Sequence, residues 1–430
     1  MAKNVVLQKI DWLSILLYLA LVGIGWLNIY STTHVHENSA LFNLDQPYGK
    51  QLIFICLSVL LIIFVLSIEA KFYERFASIF YLSSIVLLAG LFLFGKNING
   101  ATAWYSIGPF TLQPSEFAKV ATALAVSKYL SDIQTNIKLF SDQLRLFAIL
   151  AIPALLIILQ PDPGSTVVYA SFFFVMYREG LPAAYLVVGT LLTIIFISTL
   201  KFGLVLTILT SFILGALYYY LRKKRAKKVS IFPIIAMVLL CGLVSFSTNM
   251  VYENVFKQHH RDRFSLWLRL DNEITNNDQL KRTVGYNTHQ SETAIGSGGI
   301  LGKGFMEGTR TKGNFVPEQD TDYIFTTLGE EWGFIGTSLV VLLFTALLLR
   351  LLYLAERQKS QFSRIYGYSV VSILFFHFMI NIGMVIGLLP TIGIPLPFFS
   401  YGGSGLWGFT ILLFIFLKFD ANRINDWMER

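Results

Sequence analysis

The sequence predicts an all-α polytopic membrane protein, a bundle of about 10–12 transmembrane helices with one long extracytoplasmic loop. Three observations support this fold class. Of the 430 residues, 54% are apolar and only 14% are charged, whereas soluble globular chains carry about 25% charged residues. Apolar runs recur along the whole chain, and residues 248–322 form the longest polar stretch between them. This composition excludes a soluble enzyme, a disordered chain and a disulfide scaffold.

Each predicted span is an apolar run that suits the hydrocarbon core, which is about 30 Å thick and requires about 20 helical residues. In chain order, the clearest runs cover residues 12–30, 51–68, 77–94, 146–159, 182–200, 203–221, 231–246, 332–352, 366–389 and 405–419. Two further segments, residues 114–130 and 165–177, are shorter or more polar. The first run lacks the features of a removable signal, so we expect it to be retained as a span. The total expected is about twelve spans.

The distribution of basic residues predicts the orientation of the chain. Six cations lie within residues 222–228, and others follow the run that ends at residue 352 and the last run. With a cytoplasmic N-terminus, the span count places all of these segments on the cytoplasmic side, as the positive-inside rule requires. The basic run is therefore a topology signal, with recognition of lipid headgroups as the alternative. Residues 94–110, 248–322 and 390–405 then share the outer face.

The end of the long outer loop carries the first candidate for chemistry. Asp322 lies just before or within the first turn of a predicted membrane helix. The helix dipole favours an acid there, so a helix cap is one interpretation. The other is a carboxylate held at the membrane–water boundary, where it acts as a general base. Glu330 and Glu331 follow deeper in the span, where charged groups are costly and tend to mark sites.

A second group lies near residue 114, where a proline begins a predicted helix. Glu116 and Lys119 are three residues apart on one helical face and can pair. One interpretation is a self-neutralised ion pair within the bilayer, and the other is a polar cavity in which the pair positions a substrate headgroup. Trp104, just upstream, fits either an interfacial anchor or a residue that stacks on a sugar ring.

The glycine-rich residues 294–304 do not match a nucleotide-binding motif. Five residues before Gly302 the sequence has Ser297 instead of Gly, and Lys303 is followed by Gly304 instead of Ser or Thr. What remains is flexible backbone whose N–H groups, together with Lys303 and Arg310, are suited to cradle an oxyanion such as a pyrophosphate.

Two further polar residues interrupt apolar runs. Asp162 follows a proline and either caps the next helix or binds substrate. His377 lies within a predicted span, where a packing role is expected rather than a ligand role. The spacing of His, Cys and acidic residues does not suggest a dedicated metal cage.

Five motifs together resemble the SEDS family, named for shape, elongation, division and sporulation, and within it the members that determine rod shape. The motifs cover residues 113–119, 160–164, 294–304, 317–325 and 395–404, in the order seen in the family. The likeness runs over nearly the whole chain, which implies a single SEDS-type domain covering residues 1–430. Family members usually have about ten spans, so residues 203–246 stand out as an extra helical hairpin.

The resemblance implies a peptidoglycan glycosyltransferase that extends glycan strands from lipid II, a disaccharide-pentapeptide on a polyprenyl pyrophosphate. Asp322 matches the family's essential aspartate, Glu116 and Lys119 match its paired acid and lysine, and Trp104 matches its outer-loop tryptophan. Ser400 lies in the last motif and joins the candidate substrate-binding residues.

The resemblance also implies a setting and partners. The protein would lie in the bacterial cytoplasmic (inner) membrane with its active site on the periplasmic face. Its partners would be a class B penicillin-binding protein, which is a transpeptidase, the elongation machinery and membrane lipids, and not nucleic acid. A divalent cation, Mg²⁺ or Mn²⁺, is the one cofactor that the chemistry suggests.

The residues lead to the hypothesis that Asp322 takes the proton from the acceptor sugar's 4-hydroxyl, with inversion at the donor's anomeric carbon. Three alternatives remain at this point: a lipid II flippase or transporter, since intramembrane acids and broken helices suit transport as well; a non-catalytic scaffold that recruits a wall synthase; and the division-specific paralogue of the same family.

Overall fold

The computed structural model describes residues 10–33, 43–98, 100–108, 110–225, 231–254, 258–268, 270 and 286–423. The chain forms two compact units. One contains Met1–Leu181 and Gln290–Arg430, and the other contains Pro182–His289. Every candidate site residue lies in the first unit, so the fold of that unit positions the site.

The first unit is built from long apolar helices joined by short, irregular segments. Its helices before the second unit are α1 (Trp12–Thr33), α2 (Pro47–Ser67), α3 (Ala70–Phe94), α4 (Pro114–Leu130), α5 (Phe140–Leu159), α6 (Pro163–Val167) and α7 (Phe172–Arg178), with a 3₁₀ turn at Val168–Ser171. The second unit contains α8 (Ala184–Arg225), α9 (Phe232–Asn254) and α10 (Gln258–Leu268), and α11 (Tyr286–Gly298) follows. The remaining helices are α12 (Thr309–Lys312), α13 (Ile324–Glu356), α14 (Gln361–Val385) and α15 (Gly403–Asn422).

Three helices form the interior of the first unit. Helices α4, α14 and α15 bury most of their side chains, whereas only 28% and 22% of the apolar windows of α2 and α3 are buried. The exposed side chains of α2 and α3 are mainly apolar, as Leu60, Phe64 and Val86 show. Because water would oppose so much exposed apolar surface, this pattern indicates helices that face lipid around a packed centre.

A small sheet interrupts the helical fold between α3 and α4. It has three antiparallel strands in the order β1 (Lys96–Ile98), β2 (Ala101–Ile107) and β3 (Phe110–Leu112). The N–H of Thr102 donates to the carbonyl of Gln160 at 3.1 Å, which ties the start of β2 to the turn after α5.

Eight helices of the described chain are long and apolar enough to cross a membrane: α1, α2, α3, α5, α8, α13, α14 and α15. The polytopic helical fold is thus confirmed, but two predicted spans have a different local structure. Helix α4 has only 17 residues and lies inside the bundle. Residues 165–177 are divided among α6, the 3₁₀ turn and α7 and do not form one regular helix. The two predicted spans at residues 182–200 and 203–221 correspond to the two helical parts of α8, which lie on either side of a kink at Gly203.

Helix α8 bends sharply at Gly203, where φ is 81° and ψ is 164°. A straight helix of its 42 residues would be about 63 Å long, twice the hydrocarbon thickness. The hydroxyls of Thr199 and Ser245 lie 3.0 Å apart, and a Cβ at Gly242 would meet Ile208 at 3.9 Å. Thr199 and Ile208, on opposite sides of Gly203, therefore contact adjacent turns of α9.

The long outer loop is shorter and more structured than the sequence predicts. Helix α9 continues to Asn254, and α10, α11 and α12 all lie within residues 248–322. The sequence did not predict this extension of α9, because residues 247–254 are mostly polar and the predicted span ends with the apolar run at residue 246. Residues 255–257, 269 and 271–285 of this loop, residues 226–230 of the basic run and residues 424–430 of the tail lie outside the described residues.

Candidate active site

Asp322 lies at the entry to α13 and is partly exposed. The N-cap position of α13 belongs to Tyr323, so Asp322 precedes the cap by one residue. The side-chain amide of Asn381 donates to the main-chain carbonyl of Asp322 at 2.8 Å. This bond fixes the backbone of Asp322 through its carbonyl and leaves the carboxylate to face the neighbouring loops.

Two glycines bring three loops together beside this carboxylate. A Cβ at Gly393 would lie 3.2 Å from Oδ2 of Asp322, and a Cβ at Gly164 would lie 2.7 Å from the carbonyl oxygen of Gly393. Gly393 also has a φ of 81°, which disfavours other residues. The loops at residues 160–164, 317–323 and 390–402 therefore converge. The sequence predicted a shared face for the last two of these loops and did not include the first.

Ser400 acts on the backbone of these loops. Its hydroxyl donates to the carbonyl of Thr321 at 2.7 Å and accepts the N–H of Leu396 at 2.8 Å. The N–H of Tyr401 donates to the carbonyl of Asp320 at 2.9 Å. Ser400 therefore binds the residue that precedes Asp322, and its hydroxyl is hydrogen-bonded to two main-chain groups of the protein.

A second acid lies two residues before Asp322. Burial raises the pKa of Asp320 above its ordinary value, and the nearby charge of Glu318 adds to the shift. Asp320 contacts the next loop through its main-chain carbonyl, which accepts the N–H of Tyr401. Asp320 is therefore a useful comparison for Asp322, because the two acids share a segment but not a position.

Glu116 and Lys119 form the ion pair that their spacing predicts. The Lys119 Nζ lies 2.7 Å from Oε1 of Glu116, and the side chains are 2% and 3% exposed respectively. The ammonium also lies 5.0 Å from the centre of the Phe409 ring. The pair is thus enclosed by α4, α14 and α15, and in this structure it does not line an open surface for a headgroup.

Asp162 caps the short helix α6. Its carboxylate accepts the N–H of Ser165 at 3.0 Å and the Ser165 hydroxyl at 2.7 Å. The side-chain amide of Gln113 donates to the same carboxylate at 3.0 Å. These bonds join the start of α4 to the turn after α5, the turn that also holds the β-sheet carrying the partly exposed Trp104.

Glu330 is a buried acid that accepts several hydrogen bonds from residues 303–311. It is fully buried, at 0% exposure, and Lys303 Nζ lies 2.6 Å from its Oε1. Its carboxylate also accepts bonds from the Thr309 hydroxyl, the Arg310 N–H, and both the N–H and the hydroxyl of Thr311, at 2.8–3.2 Å. Glu330 therefore organises residues 303–311 around one buried charge.

The glycine-rich loop does not form the expected open cradle of N–H groups. The N–H of Gly302 donates to the carbonyl of Gly298, that of Lys303 to Glu330, and that of Gly304 to Glu331. The expectation of a free backbone cradle is wrong for these three groups, because Gly302 binds the end of α11 and the other two bind the broken first turns of α13. The break lies at Gly333, whose φ is 62° and where a Cβ would meet the Gly302 nitrogen at 2.3 Å.

The two candidate cations of this loop differ in their surroundings. The charge of Lys303 is paired with Glu330, as described above. The guanidinium of Arg310 instead donates to the neutral side chain of Gln290 and lies 5.9 Å from the Phe315 ring. A neutral acceptor does not compensate the charge of Arg310, so Arg310 is the better placed of the two to attract an anionic group.

The side chains do not form a dedicated metal cage. Among the residues that the structure describes, no group of three or more His, Cys, Asp or Glu side chains is arranged to hold a metal ion. The divalent cation that the chemistry suggests thus has no such group of ligands among the described residues.

Replacing Glu330 with Gln is expected to destabilise the protein. The amide keeps the shape but places an NH₂ group where protein donors point, and each buried unsatisfied donor costs about 1–3 kcal/mol. We expect a lower melting temperature for the full chain in detergent. Glu307→Gln is the matched control, since Glu307 lies in the same loop but is exposed. Equal melting temperatures for the two variants would contradict this role of Glu330.

Sequence reasoning named Glu330 without assigning its role and missed Asn381. Asn381 is fully buried, at 0% exposure, and its amide also donates to the carbonyl of Ile394 at 2.7 Å. The available signal was an asparagine within an apolar run, since buried polar groups need hydrogen-bond partners. Its partners are backbone carbonyls of distant loops, which the sequence does not reveal.

Comparison with known proteins places this site in a family. The family model for FtsW, RodA and SpoVE, described as a cell cycle protein, matches residues 11–425. The peptidoglycan glycosyltransferase RodA of Treponema pallidum is 31% identical over 440 residues, which cover 96% of this chain and 98% of that protein. The peptidoglycan glycosyltransferase MrdB of Escherichia coli is 31% identical over 353 residues, 82% of this chain and 80% of that protein.

Solved structures agree with this placement. A chain from a peptidoglycan synthase complex, described as coordinating polymerization and crosslinking, superposes with a TM-score of 0.70 at 25% identity, over 96% of this chain and 98% of that chain. The rod shape determining protein RodA of Thermus thermophilus has the same fold, with a TM-score of 0.61 at 23% identity over 96% of this chain and 97% of that chain. Because the family model matches almost the whole chain, the protein belongs to the FtsW/RodA/SpoVE family, the SEDS family that its motifs indicate.

Proposed function

We propose that this protein is a peptidoglycan glycosyltransferase that polymerises lipid II into glycan strands during cell elongation. The observation that carries the proposal is the position of Asp322, partly exposed at the start of a membrane helix where three loops converge. The relatives named RodA and MrdB support the reaction, and their names favour the elongation role over the division-specific one.

The proposed reaction needs a base and charge stabilisation but no nucleophilic Ser or Cys. Asp322 accepts the proton of the acceptor sugar's 4-hydroxyl while that oxygen attacks the donor's anomeric carbon. The bond from the anomeric carbon to the pyrophosphate oxygen breaks, and the polyprenyl pyrophosphate leaves with both electrons of that bond. Such a displacement inverts the anomeric configuration.

The geometry favours Arg310 over Lys303 as the cation near the leaving group. Among the residues that the structure describes, Arg310 forms no ion pair, whereas Lys303 is paired with Glu330. A guanidinium suits phosphate oxygens because it offers several donors in a fixed plane. Arg310 would thus stabilise negative charge on the departing pyrophosphate.

The chain is a multi-pass membrane protein, and we propose that it lies in the bacterial inner membrane. The basic run at residues 222–228 supports a cytoplasmic position for that segment. By the same rule, the loops that carry Asp322 would face the periplasm, which is where assembled glycan strands are needed.

We further propose that the partner is a class B penicillin-binding protein within the elongation machinery. The similar solved structure comes from a complex described as coordinating polymerization with crosslinking. A polymerase of this kind produces the strands that a transpeptidase links, so pairing the two enzymes delivers the product directly to the next step.

Purified lipid II and the detergent-solubilised full chain test this proposal. We expect glycan strands longer than the disaccharide, detected by gel electrophoresis after labelling, without any added polymerase. Vesicles containing headgroup-labelled lipid II provide the second arm. Leaflet exchange of labelled lipid with no polymer in either arm would refute the proposed reaction and identify a flippase instead.

A further inference from the structure

His377 is buried within α14, at 1% exposure, yet both of its ring nitrogens contact polar groups. Its Nε2 lies 2.9 Å from the Nζ of Lys119, and its Nδ1 lies 3.3 Å from the carbonyl oxygen of Pro395. One edge of the ring thus contacts the buried ion pair, and another edge contacts the loop beside Asp322. Simple packing does not require polar contacts at both nitrogens.

The two partners determine which nitrogen carries the hydrogen. A carbonyl oxygen only accepts, so Nδ1 of His377 is the donor to Pro395. An ammonium group only donates, so Nε2 is the acceptor from Lys119. Together with the 2.7 Å contact between Lys119 and Glu116, this gives one continuous hydrogen-bonded path from Glu116 to the backbone of Pro395.

The path ends at Pro395, two residues after Gly393, which lies beside the carboxylate of the proposed base. Pro395 follows Ile394, whose carbonyl is held by Asn381, and Gly393 lies directly against the Asp322 carboxylate. Asn381 is one turn beyond His377 on α14, so the two side chains share a helix face. Adjacent turns of one rigid helix therefore hold consecutive carbonyls of the loop that borders Asp322.

We propose that His377 is a positioning residue, which transmits the geometry of the Glu116–Lys119 pair to the loop at residues 393–395 and thereby sets the position of the Asp322 carboxylate. This inference rests on the proposed function for its kinetic consequence. It assigns the buried ion pair a role in aligning the site, without requiring contact between the pair and substrate. A shift of about 1 Å in a catalytic geometry is enough to cost about 10²-fold in rate.

Three variants of the full chain test the proposal by their kinetics. His377→Phe removes both polar contacts, and we expect the rate at saturating lipid II to fall about 10- to 100-fold while KM changes little. His377→Gln should recover part of the rate, since an amide offers both an acceptor and donors. Phe376→Leu is the matched control, because Phe376 packs against Phe174, away from the path, and we expect its rate to stay near wild type.

A double-mutant cycle tests whether His377 acts through the ion pair. In the Glu116→Gln/Lys119→Met background the path is already broken, so adding His377→Phe should lower the rate by less than about twofold. If His377→Phe instead lowered the rate by the same factor in this background as in wild type, the proposal would be overturned. So would a wild-type rate for His377→Phe in a preparation where Asp322→Asn is inactive.

Hydrogen exchange separates this inference from the proposed function, because it requires no activity. We expect amides in residues 391–401 to exchange faster in His377→Phe than in wild type or Phe376→Leu, with His377→Gln in between. Unchanged exchange in this segment overturns the positioning role, whether or not the protein polymerises lipid II. If exchange in His377→Phe is faster but the wild-type protein makes no polymer, the positioning role of His377 stands and only the proposed reaction is refuted.

Discussion

Asp322→Asn is expected to lower the rate of lipid II polymerisation by about 10²–10⁴-fold, the contribution typical of a positioned general base. The amide keeps the size of the side chain but does not accept the proton of the acceptor hydroxyl. The bond from Asn381 to the Asp322 main-chain carbonyl is kept in this variant, because it does not involve the side chain. Steady-state polymerisation by the purified full chain measures the effect.

Asp320→Asn is the matched control for this change. It makes the same chemical replacement two residues earlier, in an acid whose pKa is raised by burial and whose main-chain carbonyl provides the contact with Tyr401. We expect Asp320→Asn to polymerise at a rate close to wild type. Comparable rates for Asp322→Asn and wild type would remove Asp322 from the mechanism.

Lys119→Met is expected to destabilise the protein by about 3–5 kcal/mol. The change leaves the Glu116 carboxylate buried among α4, α14 and α15 without its counter-ion. It also removes the hydrogen bond from Lys119 to His377. Thermal unfolding of the full chain in detergent, followed by loss of a soluble folded fraction, reports this effect as a lower melting temperature.

Two further variants show whether the effect comes from the unpaired charge. Lys128→Met removes a lysine near the end of the same helix, where its ammonium donates to the carbonyl of Arg75 in an exposed contact, so a small effect is expected. The double variant Glu116→Gln/Lys119→Met removes both charges and should recover most of the melting temperature. Equal destabilisation by Lys128→Met would show that the ion pair is not the cause.

The alternatives that the sequence left open for the acidic residues differ in their outcome. At Asp162 the cap interpretation is confirmed, since its carboxylate accepts the N–H of Ser165. At residues 116 and 119 the ion pair is formed and enclosed. Its part in substrate binding stays a prediction, as do the roles of Trp104, Lys303, Arg310 and Ser400. Asp322 remains the proposed base, supported by its exposure and its place at the junction of three loops.

The sequence predicted contacts that depend on local spacing. Residues three apart on a helix necessarily share a face, so the Glu116–Lys119 pair followed from position alone. The bounds of α4 were also predicted from Pro114 at its start. By contrast, the bonds from Asn381 to Asp322 and Ile394, and those around Glu330, join segments that are distant in sequence or meet at a break in a helix.

The sequence by itself determined that this is a polytopic membrane protein, because long apolar runs with few charges have no other stable environment. It also determined the family, because the order of five motifs is a property of the chain alone. The sequence also placed a boundary between two spans at residues 200–203, where α8 bends at Gly203. Only the tertiary structure decided where α13 bends, since Gly333 lies inside one predicted span and its φ of 62° is known only from the structure. It also decided that His377 joins two polar groups, because a buried side chain takes its role from neighbours that folding brings to it.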